Sequence, residues 1–116
     1  MTAAARLAVD EVAGLPVARI DGEIDLSNAA SLGASLDEAA GDRGLVVDLS
    51  SVGFMDSAGL HMLFRLAAAL AAHGRGLRVV VPRAAPLLAV LRISDPAGYI
   101  PVDETVDAAV AALTGA

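Results

Sequence analysis

Leu45-Val46-Val47-Asp48-Leu49, then Ser50-Ser51-Val52-Gly53-Phe54-Met55-Asp56, then Ser57-Ala58-Gly59-Leu60 is the stretch on which the fold turns. The first five residues, four of them apolar, are too few for a helix and read as a buried strand. Ser50 to Asp56 reads as the loop that follows. From Ser57 the apolar residues recur at helical spacing to about His73, and Gly74 closes that helix. A serine thus stands in the first turn of a helix, with an acid before it and a glycine two residues on. Serine is a favoured N-cap, contributing about 1 kcal/mol by accepting a backbone N–H. Two readings of Ser57 are open: a cap, or a hydroxyl presented to a partner.

The same punctuation organises the rest of the chain. Arg6 to Val12 and Leu15 to Ile20, separated by Ala13-Gly14, read as a hairpin, with Pro16 marking a strand start or an edge. Glu23 to Leu26 is a loop, and Ser27 caps a helix that carries Leu32, Leu36 and Ala39 or Ala40 before Gly41 and Gly44. Leu77 to Val81 is a buried strand stopped by Pro82. Ala85 to Leu91 is a short helix with Pro86 in its first turn. Asp95 to Gly98 is a turn and Tyr99 to Val102 a last strand. Asp103 caps a terminal helix that runs through Leu113. Strands alternating with helices after an opening hairpin predict one domain over residues 1–116, of α/β or α+β class: a mixed sheet of four to five strands with about four helices packed on it.

Composition excludes several chemistries. The 116 residues contain no cysteine, so there are no disulfides, thiolate metal sites or cysteine nucleophiles, and a reducing cytoplasm suits the chain. All eight basic residues are arginines, which removes the lysine of a P-loop or a Schiff base. A formal charge of −6 disfavours nucleic acid and anionic membranes as partners. Leu60 to Ala72, the longest apolar stretch, is broken by His61 and Arg65 and is shorter than the roughly 20 residues a bilayer span needs. No signal-peptide core follows Met1, so the expectation is a soluble protein. The chain is 56% hydrophobic yet 3% aromatic, so its core is built of Ala, Leu, Val and Ile.

On a helical wheel, Leu60, Leu63, Phe64, Ala67, Leu70 and Ala71 form the stripe that faces the sheet, and His61, Arg65, Ala68 and Ala72 form the opposite one. Met62, Leu66 and Ala69 make a third, apolar stripe, which either packs on a neighbouring helix or is a contact patch. Catalysis finds little support. Ser57 lacks a Gly-x-Ser-x-Gly setting, and no third group orients His61 or His73 as a base. Glu23, Asp25, Asp48 and Asp56 have no diagnostic ligand spacing, and His61 and His73, twelve apart, cannot share a metal. Neither a metal nor another cofactor is expected.

Gly22-Glu23-Ile24-Asp25, Val46-Val47-Asp48-Leu49-Ser50 and Phe54-Met55-Asp56-Ser57-Ala58-Gly59-Leu60 together resemble the STAS domain, and more narrowly the bacterial anti-sigma factor antagonists of partner-switching systems. The resemblance spans nearly the whole chain. Of the two fold classes it implies α/β. It implies a non-enzymatic cytoplasmic regulator that binds an anti-sigma factor serine kinase of the GHKL type and frees its sigma factor. It also implies that Ser57 is the phosphoacceptor and that a serine phosphatase resets it. Glu23, Asp25, Asp56, Ala58, Gly59, His61, Met62, Arg65 and Leu66 are then the expected partner surface, on a monomer or weak homodimer. The chain departs from many relatives at Ala58, where they carry Ser or Thr, and at His61, where they carry glycine. A second role within the family is a scaffold or adaptor subunit, in a stressosome-type assembly or as the cytosolic part of a membrane transport system. A small enzyme or phosphate-binding protein is the rival from another class.

Overall fold

A two-residue turn starts the architecture: Ala13 and Gly14 have φ of 52° and 80°, the pair of positive values that a hairpin turn matched to strand twist requires. The computed structural model describes residues 5–115. Along them run β1 (Arg6–Val12), β2 (Leu15–Ile24), α1 (Ala29–Ala39), β3 (Gly44–Met55), α2 (Ser57–Ala71), β4 (Gly76–Val80), α3 (Pro86–Ser94), β5 (Val102–Asp103) and α4 (Val106–Thr114). The expected mixed α/β architecture is the one observed, with five strands and four helices.

Spatial strand order equals chain order, β1-β2-β3-β4-β5. Only β1 is antiparallel to its neighbour; the other pairings are parallel. Each strand–helix–strand crossover therefore steps in the same direction. Right-handed crossovers of that kind put their helices on one face of the sheet. Accordingly α1, α2 and α3 share the larger core, around Ile20, Leu36, Val47, Leu63, Leu70, Val79 and Leu88. Among the described residues the other face is covered only by α4, whose Ala109 and Val110 close on Leu15, Val17, Val46 and Val80. Beyond α4 that face is polar: Arg19 reaches Asp48 at 3.4 Å and Asp10 at 3.8 Å.

Two strands are longer than their hydrophobic runs. β2 continues past Ile20 to Ile24, and β3 continues past Leu49 to Met55. The expected loop from Ser50 to Asp56 is thus strand up to Met55. The extensions pair with each other, Asp21↔Ser51 and Gly22↔Val52, then Glu23↔Phe54 and Ile24↔Met55. A register shift beside Gly22, at φ 107°, lets the ladder resume. Val52 and Met55 enter the core while Ser50, Ser51, Gly53 and Phe54 stay exposed. Pairing between two half-polar segments made this strand, which no single run of apolar residues announced.

Other boundaries also moved. β5 is Val102–Asp103 rather than Tyr99–Val102. The Asp95 carboxylate accepts the N–H groups of Tyr99 and Ile100 at 3.0 and 2.8 Å, which holds that segment as a turn. Thr105, not Asp103, caps α4, accepting from Ala108 N–H at 3.1 Å. Asp103 instead takes two hydrogen bonds from Arg78, at 2.8 and 3.0 Å, tying β5 to β4 and raising the guanidinium pKa further. Asn28, not Ser27, precedes α1. Helix α2 ends at Ala71 rather than about His73.

Candidate functional site

The site is assembled where β2 and β3 end together. Asp56 N–H donates to the carbonyl of Ile24 at 3.1 Å, so the chain leaves β3 still attached to β2. One Asp56 carboxylate oxygen, Oδ1, then accepts the N–H groups of Ala58 and Gly59 at 2.8 and 3.2 Å. Asp56 is therefore the N-cap of α2, and the reading of Ser57 as the cap is corrected. The reason is positional: an extended residue before the first helical turn can fold its short carboxylate back onto the free N–H groups, and Ser57 already lies inside the helix.

The other Asp56 oxygen, Oδ2, accepts Leu26 N–H at 3.2 Å, from the loop between β2 and α1. That loop is bonded internally as well. Asp25 accepts from the backbone N–H and hydroxyl of Ser27. Asn28 accepts from Asp25 N–H at 3.0 Å and donates to the Glu23 carbonyl at 2.9 Å. The Glu23 side chain is exposed, and Asp25 is half-buried. Leu26, 82% exposed, is held out from the loop.

Ser57 is consequently a first-turn residue with an exposed side chain. Among the described residues its hydroxyl takes part in no hydrogen bond. The turn behind it is rigid. A Cβ on Gly59 would stand 2.4 Å from Met55 Cγ and 2.9 Å from Ile24 Cγ2, so only glycine lets α2 start this close to the strand ends.

Helices α1 and α2 pack side by side, and this decides the third stripe of α2. Met62 and Leu66 are buried against α1 and the core, not exposed as a patch. Their outer edges floor a groove of about 670 Å³ between the two helices, with Leu26 and Ser57 at one end and Ala30 and Ala34 along the α1 wall. His61 and Arg65 are exposed on the α2 rim, opposite Asp37 of α1. Of the residues singled out in the sequence, Ser57, Ala58, His61, Met62, Arg65 and Leu66 meet at this groove. Asp25 and Asp56 are joined to it through Leu26. Gly59 is buried beneath, and Asp48 lies elsewhere, paired with Arg19.

Leu26, Ala30 and Ala34 were not foreseen as site residues. A lone leucine between Asp25 and Ser27 has no periodic signal, and small residues on a helix read as ordinary helix formers. Among the described residues no group of three or more His, Asp or Glu side chains is placed to hold a metal, and no helix is long and apolar enough to cross a membrane. What the arrangement offers is a free hydroxyl at a helix start, acids beside it and an apolar groove behind it.

Comparison with known proteins gives a consistent picture. The STAS domain family model matches residues 6–109. The crystal structure of an anti-sigma factor antagonist from Mycobacterium paratuberculosis is 27% identical, with 96% of this chain and 95% of that one covered at a TM-score of 0.82. The anti-sigma factor antagonist SpoIIAA in its unphosphorylated form is 18% identical, with 96% and 100% covered and a TM-score of 0.66. The phosphorylated form of the Bacillus cell fate determinant SpoIIAA is 19% identical, with 90% and 96% covered and a TM-score of 0.61. Among curated proteins, none matches this sequence.

Proposed function

The chain belongs to the STAS domain family, and from that premise we propose that it is an anti-sigma factor antagonist switched by phosphorylation of Ser57. In its unmodified form it binds an anti-sigma factor serine kinase of the GHKL type, which then releases its sigma factor. The kinase transfers phosphate from its own ATP to the Ser57 oxygen, the modified protein dissociates, and a serine phosphatase restores the hydroxyl. The protein acts by binding rather than by turnover, in the cytoplasm where its partners work.

The observation that carries this reading is the Ser57 hydroxyl, exposed and unengaged because Asp56 does the capping. Support comes from the structural neighbours, which are anti-sigma factor antagonists and include both an unphosphorylated and a phosphorylated form. The partner surface is Glu23 at the end of β2 and Asp25 on the loop after it, with Ala58, His61 and Arg65 along α2. Met62 and Leu66 form the groove floor, and Gly59 fixes the turn.

Local electrostatics suffices for the switch. A phosphate adds about −1.5 to −2 charges. The helix dipole favours it by about 0.3–1 kcal/mol, so the fold tolerates it. The N–H groups of Ala58 and Gly59 are already bonded to Asp56, so they do not become phosphate ligands. At an interface the dianion must be desolvated beside the Asp56 carboxylate. A unit-charge pair at 4 Å costs about 1 kcal/mol in water and about 4 kcal/mol at an effective dielectric of 20. A loss of about 3 kcal/mol weakens binding more than a hundredfold, with no refolding.

Incubation with the cognate kinase and ATP, followed by mass spectrometry of the peptides, tests the assignment. Phosphate is expected on Ser57. Phosphate on another residue with Ser57 bare rejects it.

A further inference from the structure

β1 stands at the edge of the sheet, and among the described residues nothing pairs with its outer side. Natural edge strands are blunted by brevity, charged side chains (lysine above all), proline or a bulge. This one has no lysine, proline or bulge, and its charges, Arg6, Asp10 and Glu11, are of both signs, so a second copy of the strand can meet them with opposite charge. It is seven residues long and pairs with β2 in unbroken register from Arg6↔Asp21 to Val12↔Leu15. Val9, at its middle, is 47% exposed.

The turn determines which main-chain groups are free. In a two-residue hairpin the flanking residues, Val12 and Leu15, exchange hydrogen bonds, and the pattern alternates along the strand. Asp10, Ala8 and Arg6 therefore also direct their N–H and C=O groups to β2, while those of Glu11, Val9 and Leu7 point outward. An antiparallel partner identical to β1 must set outward residues opposite one another. Centring on Val9 places Arg6 opposite Val12 and Leu7 opposite Glu11. Centring on Asp10 sets two aspartates face to face, and centring on Leu7 leaves Arg6 opposite Ala8. Centring on Ala8 is different. Arg6 faces Asp10 twice, Leu7 faces the exposed Val9 twice, and two alanines meet at the closest point. Cross-strand pairs of opposite charge and of apolar side chains are what stabilise a ladder.

We propose that two copies of this chain pair antiparallel through β1 about a two-fold axis at Ala8, forming one continuous sheet with five strands from each copy. The pairing is independent of the Ser57 reading, because no β1 residue lines the groove or contacts Asp56. Both Ser57 hydroxyls stay accessible on the dimer. A contact between two strands of this length is smaller than a standard interface, so the dimer dissociates in the range of roughly 10 µM to 1 mM.

Sedimentation velocity of the full chain across that concentration range is the test. A concentration-dependent monomer–dimer equilibrium is expected. Val9→Pro removes an outward N–H without touching the β1–β2 ladder and should leave only monomer with the circular dichroism melt retained. Arg6→Asp or Asp10→Arg alone should weaken dimerisation about tenfold or more, and the Arg6→Asp/Asp10→Arg double variant should restore it to within about threefold. If Val9→Pro does not fold, the charge reversals and their rescue decide. A chain that is monomeric throughout the range overturns the proposal, as does a dimer whose affinity ignores both the proline and the reversals.

Discussion

The Asp56 carboxylate accepts Leu26 N–H at 3.2 Å through one oxygen and caps α2 through the other. One side chain thereby fixes both an exposed leucine and the start of the helix that carries Ser57. The acid beside the serine is thus a positioning element before it is a charge. Its two duties predict separable effects when it is changed.

Asp56→Ala removes the cap and leaves the Leu26 N–H without its partner, and should destabilise the fold by about 1–2 kcal/mol. Asn caps as well as Asp but has one acceptor oxygen instead of two. Asp56→Asn should therefore keep the cap, lose the Leu26 N–H bond and fall between the other two proteins, about 0.5–1 kcal/mol below the parent. Urea denaturation of the three proteins checks the order. Equal stabilities would show that the Asp56 hydrogen bonds contribute nothing.

Charge at Ser57 should act on binding and not on folding. Ser57→Asp is expected to weaken binding to the cognate kinase about tenfold or more, with an unfolding free energy within about 0.5 kcal/mol of the parent. Ser57→Ala should bind like the unmodified protein and resist inactivation by ATP. Calorimetric titration against the kinase reads both. An unchanged affinity for Ser57→Asp would remove the electrostatic account.

Gly59→Ala sets two effects against each other. Alanine gains about 1 kcal/mol of helix propensity over glycine. The added carbon would meet Met55 Cγ at 2.4 Å and Ile24 Cγ2 at 2.9 Å, and overpacking of this kind costs about 1–3 kcal/mol. The clash involves a side chain's middle rather than its free end, so net destabilisation of about 1–2 kcal/mol is expected in a thermal melt. A more stable variant would mean that the strand ends can yield.

Leu26→Glu tests the groove mouth. The side chain is 82% exposed, so the fold should keep its stability within about 0.5 kcal/mol. An apolar residue fixed at the end of an apolar groove should nonetheless matter to a docked partner, and the kinase affinity is expected to fall about tenfold. Parent-like affinity would remove Leu26 from the contact surface.

How much of this was legible beforehand follows from where the information resides. Helix α2 was clear because its apolar positions recur through fifteen residues. The first half of β3 was clear because Leu45 to Leu49 is apolar and short. Its second half was not, since Ser50, Ser51 and Gly53 are strand-breaking by composition and were ordered only by the extension of β2. The stripe of Met62 and Leu66 had two readings because periodicity reports which residues share a face, not what covers it. Helix α1 covers it here.

The order of chain segments and their apolar periods determined, without coordinates, a mixed sheet covered by helices with a serine at the head of a long one. Local patterns suffice for that, because hydrogen bonding and side-chain burial impose a period on each element. Which oxygen caps the helix, where Leu26 is held and which apolar residues line a groove were decided only by tertiary structure. Each depends on contacts between segments distant in the chain, such as Asp56 with Leu26, thirty residues away. No local period encodes such a meeting; the shared ends of β2 and β3 create it.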